Sequence, residues 1–192
     1  MGKVKTVALY AGSFDPITRG HLDILDKALA TFDEVHLSIG VNPKKTRLFD
    51  IKSMMAFIVN FGSLMEHFGA DTSIKPIMKT VGTWEYECSH PGVPVVLRNF
   101  IGSITQHAAD LKATHLVRGL RQASDFNDEF SLTGVIGHVN SDLIMTHFIC
   151  NERFLHISSS TARELASLGE NTSWLVTPFV ERALKDKFSD TF

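Results

Sequence analysis

Cysteine is scarce in this 192-residue chain, with Cys88 and Cys150 its whole complement. Two thiols without CxxC spacing or further partners exclude a disulfide framework and a structural zinc site, and they fit a reduced, cytoplasmic setting. Long apolar runs are also missing: Val7 to Ala11 in MGKVKTVALYAGSFDP is too short for a signal h-region or a membrane span, and no later stretch is long enough either. A soluble protein is expected. Nor is there an excess of either charge. Nineteen Lys and Arg against 21 Asp and Glu leave a formal charge of -2, so no global field draws the chain to nucleic acid or an anionic membrane. Any polyanion must meet a local cluster of cations. Internal repeats and low-complexity segments are absent.

What is present is globular: 44% hydrophobic and 21% charged residues, in a length that fits one domain, 1–192, with room for an insertion. Val4 to Ala11 reads as a buried strand ending at Gly12. Leu22, Leu25, Leu29 and Phe32 then recur at helical spacing, with Asp23, Asp26 and Lys27 on the other face. A strand is expected over Glu34 to Val41. After the basic loop NPKKTRLF, Asp50 is placed to cap a helix whose inner stripe is Ile51, Met54, Met55, Ile58, Phe61, Met65 and Phe68. Thr72 to Met78 is a third expected strand. Lys79 to Arg98, broken by Pro91, Gly92 and Pro94, reads as a loop excursion, and helical spacing resumes with Phe100, Ile101, Ile104, Ala108 and Leu111. His115 to Val117 and Leu143 to Cys150 supply two more strands, separated by a helix to about His138. A helix after ISSST and a last one opened by Thr177 and Pro178 close the chain.

Strands that alternate with helices predict an α/β fold: a doubly wound, Rossmann-like five-stranded parallel sheet with C-terminal helices. Ligands of such sheets sit at the carboxyl ends of the strands, where strand order reverses. Gly12 to His21, Asn42 to Phe49 and Arg118 to Arg121 each follow an expected strand directly, which places them on one rim.

Their chemistry suits anions. A glycine lets the backbone turn tightly after the first strand, and the N–H groups of the following helix end point at whatever anion lies there. His21 falls in that first helical turn, where the positive end of the dipole disfavours imidazolium and favours a neutral N–H donor. Arg118 and Arg121 offer planar forks to phosphate oxygens, and Lys44 and Lys45 are mobile cations. The serines of ISSST suit a second helix N-terminus, and Thr161 with Glu164 has the spacing of a capping box.

GSFDPITRGH resembles the signature of the HxGH-type nucleotidylyltransferases. NPKKTRLF, LVRGLRQASDFNDEF, ISSST and TPFVERALKDK are similar, in order, to segments of the bacterial phosphopantetheine adenylyltransferase family. The resemblance implies a nucleotidylyltransferase that moves the adenylyl group of ATP to 4′-phosphopantetheine, giving dephospho-coenzyme A and pyrophosphate. It implies His21, Lys45 and Arg118 as catalytic residues. ATP would meet Ser13, Phe14, His21, Gly119, Leu120, Arg121 and Glu129, and the run Phe154, Leu155, His156, Ile157, Ser158, Ser159 and Ser160. The acceptor would meet Ser13, Lys45, Ile104 and Arg118, with Lys44 an adjacent rival for its phosphate. Mg²⁺ is expected to arrive on ATP, held by phosphates and water without a carboxylate cage. A homo-oligomer, a hexamer by resemblance, is implied, with no nucleic-acid or membrane partner.

Three positions depart from the family pattern: Ala11 stands where Pro is usual, His156 where an aromatic is usual, and Arg19 where Asn is common. An insertion is expected at about 79–98, where Trp84, Cys88 and His90 lie in a surface loop that lids the acceptor arm or alters an oligomer contact. The rival readings are a transferase for another phosphate acceptor and a nucleotide-binding module without turnover.

Overall fold

A computed structural model describes residues 4–60, 87–89 and 94–189. The sheet is built from β1 (Val7–Gly12), β2 (Glu34–Val41), β3 (Glu87–Ser89), β4 (Val95–Ile101), β5 (His115–Leu120) and β6 (Ile144–Ile149), in the order β3-β4-β2-β1-β5-β6. Five of these strands are parallel, and β3 lies antiparallel on the outside of β4. Around them run α1 (Arg19–Thr31), α2 (Ile51–Val59), α3 (Ile104–Asp110), α4 (Ala123–Val139), α5 (Ser159–Ser167) and α6 (Pro178–Phe188). The expected doubly wound architecture is therefore present.

Alternation along β1 explains why both faces are covered. Ala8 and Tyr10 point into a core shared with α1, α2, α5 and α6, while Leu9 and Ala11 join a second core with Ala108 of α3 and Ile136 of α4. Leu22 and Leu25 of α1 are almost wholly buried, worth about 1.5–3 kcal/mol each in burial. Asp50 caps α2 as expected, accepting from Ser53 N at 2.7 Å, and Thr177 caps α6 ahead of Pro178. The chain moves outward from β1 through β2 to β4, then returns to the other side of β1 for β5 and β6. The reversal of strand order falls between β1 and β5, so the crevice at their carboxyl ends is where a ligand is to be sought.

The segment read as a loop excursion needs correction. Residues 95–98 belong to β4, which supplies the parallel neighbour of β2, and residues 87–89 form β3. Phe100 and Ile101 end that strand; α3 begins only at Ile104. Arg98 and Asn99 broke the apolar run, yet Val95, Leu97 and Asn99 are buried in the alternation that a strand imposes. Pro94 sits just ahead of β4, where it loses no ladder donor and its carbonyl accepts from Val35 N at 2.7 Å. The expected strand Thr72 to Met78, the stripe positions Phe61, Met65 and Phe68, and residues Trp84 and His90 lie outside the described residues.

Candidate active site

The turn after β1 is tightly packed. A Cβ on Gly12 would lie 2.9 Å from the Phe14 ring, and Phe14 itself takes a left-handed φ of 46°. That conformation drives the Phe14 ring inward, edge-on to Tyr10 at 5.3 Å and to His21 at 5.1 Å. Asp15 follows, joined to Pro16 by a cis peptide bond. Its buried carboxylate accepts from Leu48 N at 2.8 Å and Phe49 N at 3.1 Å, which ties the loop carrying Lys45 to this turn.

Thr18 and His21 form a reciprocal cap on α1. Thr18 Oγ1 accepts from His21 N, and the Thr18 backbone N–H donates to His21 Nδ1 at 3.1 Å. A ring nitrogen that accepts carries no proton, so the neutral ring holds its hydrogen on Nε2. Burial, with the nearby Arg121 charge, pushes the imidazole down to about 4. His21 is thus an N–H donor at neutral pH, as its place in the first helical turn predicts.

From the neighbouring strand, Arg118 is held in a defined plane. Its Nε donates to both oxygens of Glu129 at 2.9 Å, Nη2 donates to Oε1 at 2.6 Å, and Nη1 donates to Ala11 O at 3.2 Å. Gly119 lets β5 pack closely on α1, since a Cβ there would lie 2.9 Å from the Ile24 side chain and force it to shift. Arg121 is fixed by Asp125, which accepts from its backbone N–H at 2.9 Å, and by Ile157 O, which accepts from Nη1 at 2.9 Å.

These groups surround a cavity of about 380 Å³ lined by Ser13, Phe14, His21, Arg118, Gly119, Arg121, Glu129 and Ile157 to Ser160, with Asp125, Asp128 and Cys150. Burial pushes the Cys150 thiol up to about 11, which leaves it protonated and unreactive. Two helix N-termini, those of α1 and α5, converge there. The cap of α5 is Ser158, whose Oγ accepts from Thr161 N at 3.0 Å, so the expected capping box at Thr161 and Glu164 is displaced by one turn. Ser159 Oγ donates to Pro16 O at 2.8 Å and stitches the two helix ends together.

A second cavity of about 510 Å³ adjoins the first through Ser13 and is lined by Asp15, Asn42, Lys45, Arg47 and Arg163. Of the two loop lysines, Lys45 lines it and Lys44 does not. Five of the expected contacts stand apart from both cavities: Leu120, Phe154, Leu155, His156 and Ile104. Ile104 packs against the second core, Phe154 against the first, and the His156 ring lies against Trp174 at 5.4 Å. Sequence reasoning missed Thr18, Asp15 and Arg163. The Thr-x-x-His spacing carried the first signal, since it is a capping box with imidazole in place of a carboxylate. Arg163 donates to Asp15 O across the chain, a contact no local pattern announces.

The cytidylyltransferase-like family model matches residues 9–165. The chain is also 33% identical over 184 residues, 96% of its length and 98% of the relative's, to a phosphopantetheine adenylyltransferase of Staphylococcus haemolyticus (strain JCSC1435). It belongs to the phosphopantetheine adenylyltransferase family. As a member of that family, and of the wider cytidylyltransferase-like group, it is a nucleotidyltransferase. Solved structures share the fold: a Plasmodium falciparum nicotinic acid mononucleotide adenylyltransferase complexed with NaAD is 17% identical with a TM-score of 0.52, over 98% of this chain and 99% of that one. A bifunctional NMN adenylyltransferase/ADP ribose pyrophosphatase from Francisella tularensis is 13% identical with a TM-score of 0.59, over 98% of this chain and 52% of that one.

Proposed function

We propose that this phosphopantetheine adenylyltransferase family member transfers the adenylyl group of ATP to 4′-phosphopantetheine, releasing pyrophosphate, through the two joined cavities. The observation that carries the proposal is the His21 ring, whose Nδ1 is taken by the Thr18 N–H, leaving Nε2–H as its donor in a residue that lines a cavity bounded by two helix N-termini. A phosphate monoester has a second pKa of about 6 and needs no general base to become a nucleophile. An acceptor oxygen attacks the α-phosphorus, one P–O bond forms, and the bond to the bridging oxygen of pyrophosphate breaks. The protein's task is to align two polyanions and to stabilise the charge that moves onto the α-phosphoryl oxygens and the leaving group.

In this reading His21 donates through Nε2 to the α-phosphoryl group, where charge grows during transfer. The Ser159 and Ser160 N–H groups at the start of α5, with the Ser160 hydroxyl, offer donors to the triphosphate, while the Ser158 and Ser159 hydroxyls are spent on the cap and on Pro16 O. Lys45 and Arg118 hold the acceptor phosphate, with Glu129 keeping the Arg118 fork in its plane and Asp15 keeping the Lys45 loop against the turn. Asp125 and Glu129 are committed to Arg121 and Arg118, so the residues here fit Mg²⁺ carried on phosphate oxygens and water, and none of them forms a side-chain cage. When bound, the cation neutralises triphosphate charge.

Self-association and a cytoplasmic location belong to the same proposal. Phe126 and Phe130, 55% and 70% exposed, stack on one solvent-facing side of α4 with ring centroids 6.1 Å apart. That face suits a second copy of the chain. No helix among the described residues is long and apolar enough to cross a membrane. Pyrophosphate release from ATP and Mg²⁺, with each candidate acceptor offered separately, tests the proposal.

A further inference from the structure

Arg19 occupies the first position of α1, a poor place for a cation because the first-turn N–H groups already present positive charge. Its compensation lies far away in sequence. Arg19 Nε and Nη2 both donate to Ser173 O, at 3.3 and 3.2 Å, and the Arg19 backbone N–H donates to Leu175 O at 2.9 Å. Between those two carbonyls stands Trp174, whose Nε1–H donates to Asn171 O at 3.1 Å and whose ring lies against His156 with centroids 5.4 Å apart. His156 directly precedes Ile157, the residue whose carbonyl holds Arg121, and Ser158, the cap of α5. The segment 171–175 therefore grips both halves of the first cavity: the helix end that carries His21 and the one that carries the serines. Neither Arg19 nor Trp174 lines the cavity itself.

We propose that Arg19 and Trp174 are positioning residues, a clamp that fixes the separation of the α1 and α5 N-termini and so sets the affinity for a ligand that spans both, a nucleoside triphosphate. The inference rests on reading the first cavity as the nucleotide site and is independent of the acceptor's identity. Donors held in place before binding lose no freedom when the ligand arrives, whereas a helix end free to drift does. The lysine substitution separates position from charge, since it keeps the cation and loses the fork that reaches Ser173 O.

The test is calorimetric titration of Mg-ATP, and separately of 4′-phosphopantetheine, into the full chain and its R19K, R19A, W174A and W174F variants. R19K and R19A should each weaken Mg-ATP binding about fivefold, the scale of one net hydrogen bond. W174A should do the same, W174F should restore most of the loss, and acceptor affinity should stay within about twofold of the unsubstituted chain. R19K binding Mg-ATP as tightly as the unsubstituted chain would overturn the clamp in favour of simple charge, and an equal loss for both ligands would reduce it to general stability. If the unsubstituted chain binds Mg-ATP but transfers nothing to 4′-phosphopantetheine, the acceptor reading alone falls; if it binds no nucleotide, both fall.

Discussion

A single imidazole shows how much a residue can be asked to do. His21 satisfies the first turn of α1 through Nδ1 and keeps Nε2–H for the cavity, and its depressed pKa, about 4, follows from burial and the Arg121 charge. The unfolded chain binds that proton near 6.5, so the neutral ring favours the fold above that value and the contribution is lost as pH falls toward 4. His21→Ala should lower kcat on the order of 10²- to 10³-fold with little change in ATP KM, because its hydrogen bond strengthens only as charge develops. Steady-state kinetics at pH 7.5 measure this; equal loss in kcat and in ATP affinity would assign His21 a binding role only. The two lysines separate just as cleanly. Lys45→Ala should raise acceptor KM about tenfold or more, whereas Lys44→Ala should stay near the unsubstituted value, since only Lys45 lines a cavity. The residue types at this site were legible in sequence because phosphate chemistry asks for N–H groups, hydroxyls and cations after strands. Two of their partnerships were not: Glu129 facing Arg118 and Asp15 holding Leu48 and Phe49 are contacts between separate segments that composition does not encode, whereas the Thr18–His21 pair is local and its spacing was there to be read.

Among the elements, the ones with strong periodicity and caps were readable, and β4 was not. Leu22, Leu25 and Ala28 on α1 mark a helix from either direction, and Asp50 and Thr177 announce α2 and α6. β4 carries Arg98 and Asn99 in its middle, and a strand whose polar residues are accommodated inside the sheet loses the apolar signature on which a sequence reading depends. Helix α4 shows the opposite mismatch, apolar on its solvent face. If that face meets a second copy, Phe126→Glu with Phe130→Glu should shift the chain from an oligomer to a monomer in analytical ultracentrifugation while leaving its helical content intact. A sedimentation coefficient unchanged by the pair of substitutions, or a monomeric unsubstituted chain, contradicts the assignment.

At the level of the whole molecule, the near balance of charge conceals a strongly sorted rim. Lys45, Arg47, Arg118, Arg121 and Arg163 come from separate segments and line two cavities that share Ser13, where the order of parallel strands reverses. The fold alone could serve many reactions, and its solved relatives of low identity testify only to architecture. In the proposed function, this convergence of cations and two helix ends around a neutral His21 is the feature that suits adenylyl transfer between two phosphate-bearing ligands. Pyrophosphate release is therefore the most direct measurement: purified protein, ATP and Mg²⁺, with 4′-phosphopantetheine, nicotinamide mononucleotide and glycerol 3-phosphate offered one at a time. Release with 4′-phosphopantetheine, accompanied by dephospho-coenzyme A and abolished without the acceptor, is the predicted result; turnover with another phosphate ester and none with 4′-phosphopantetheine would contradict it.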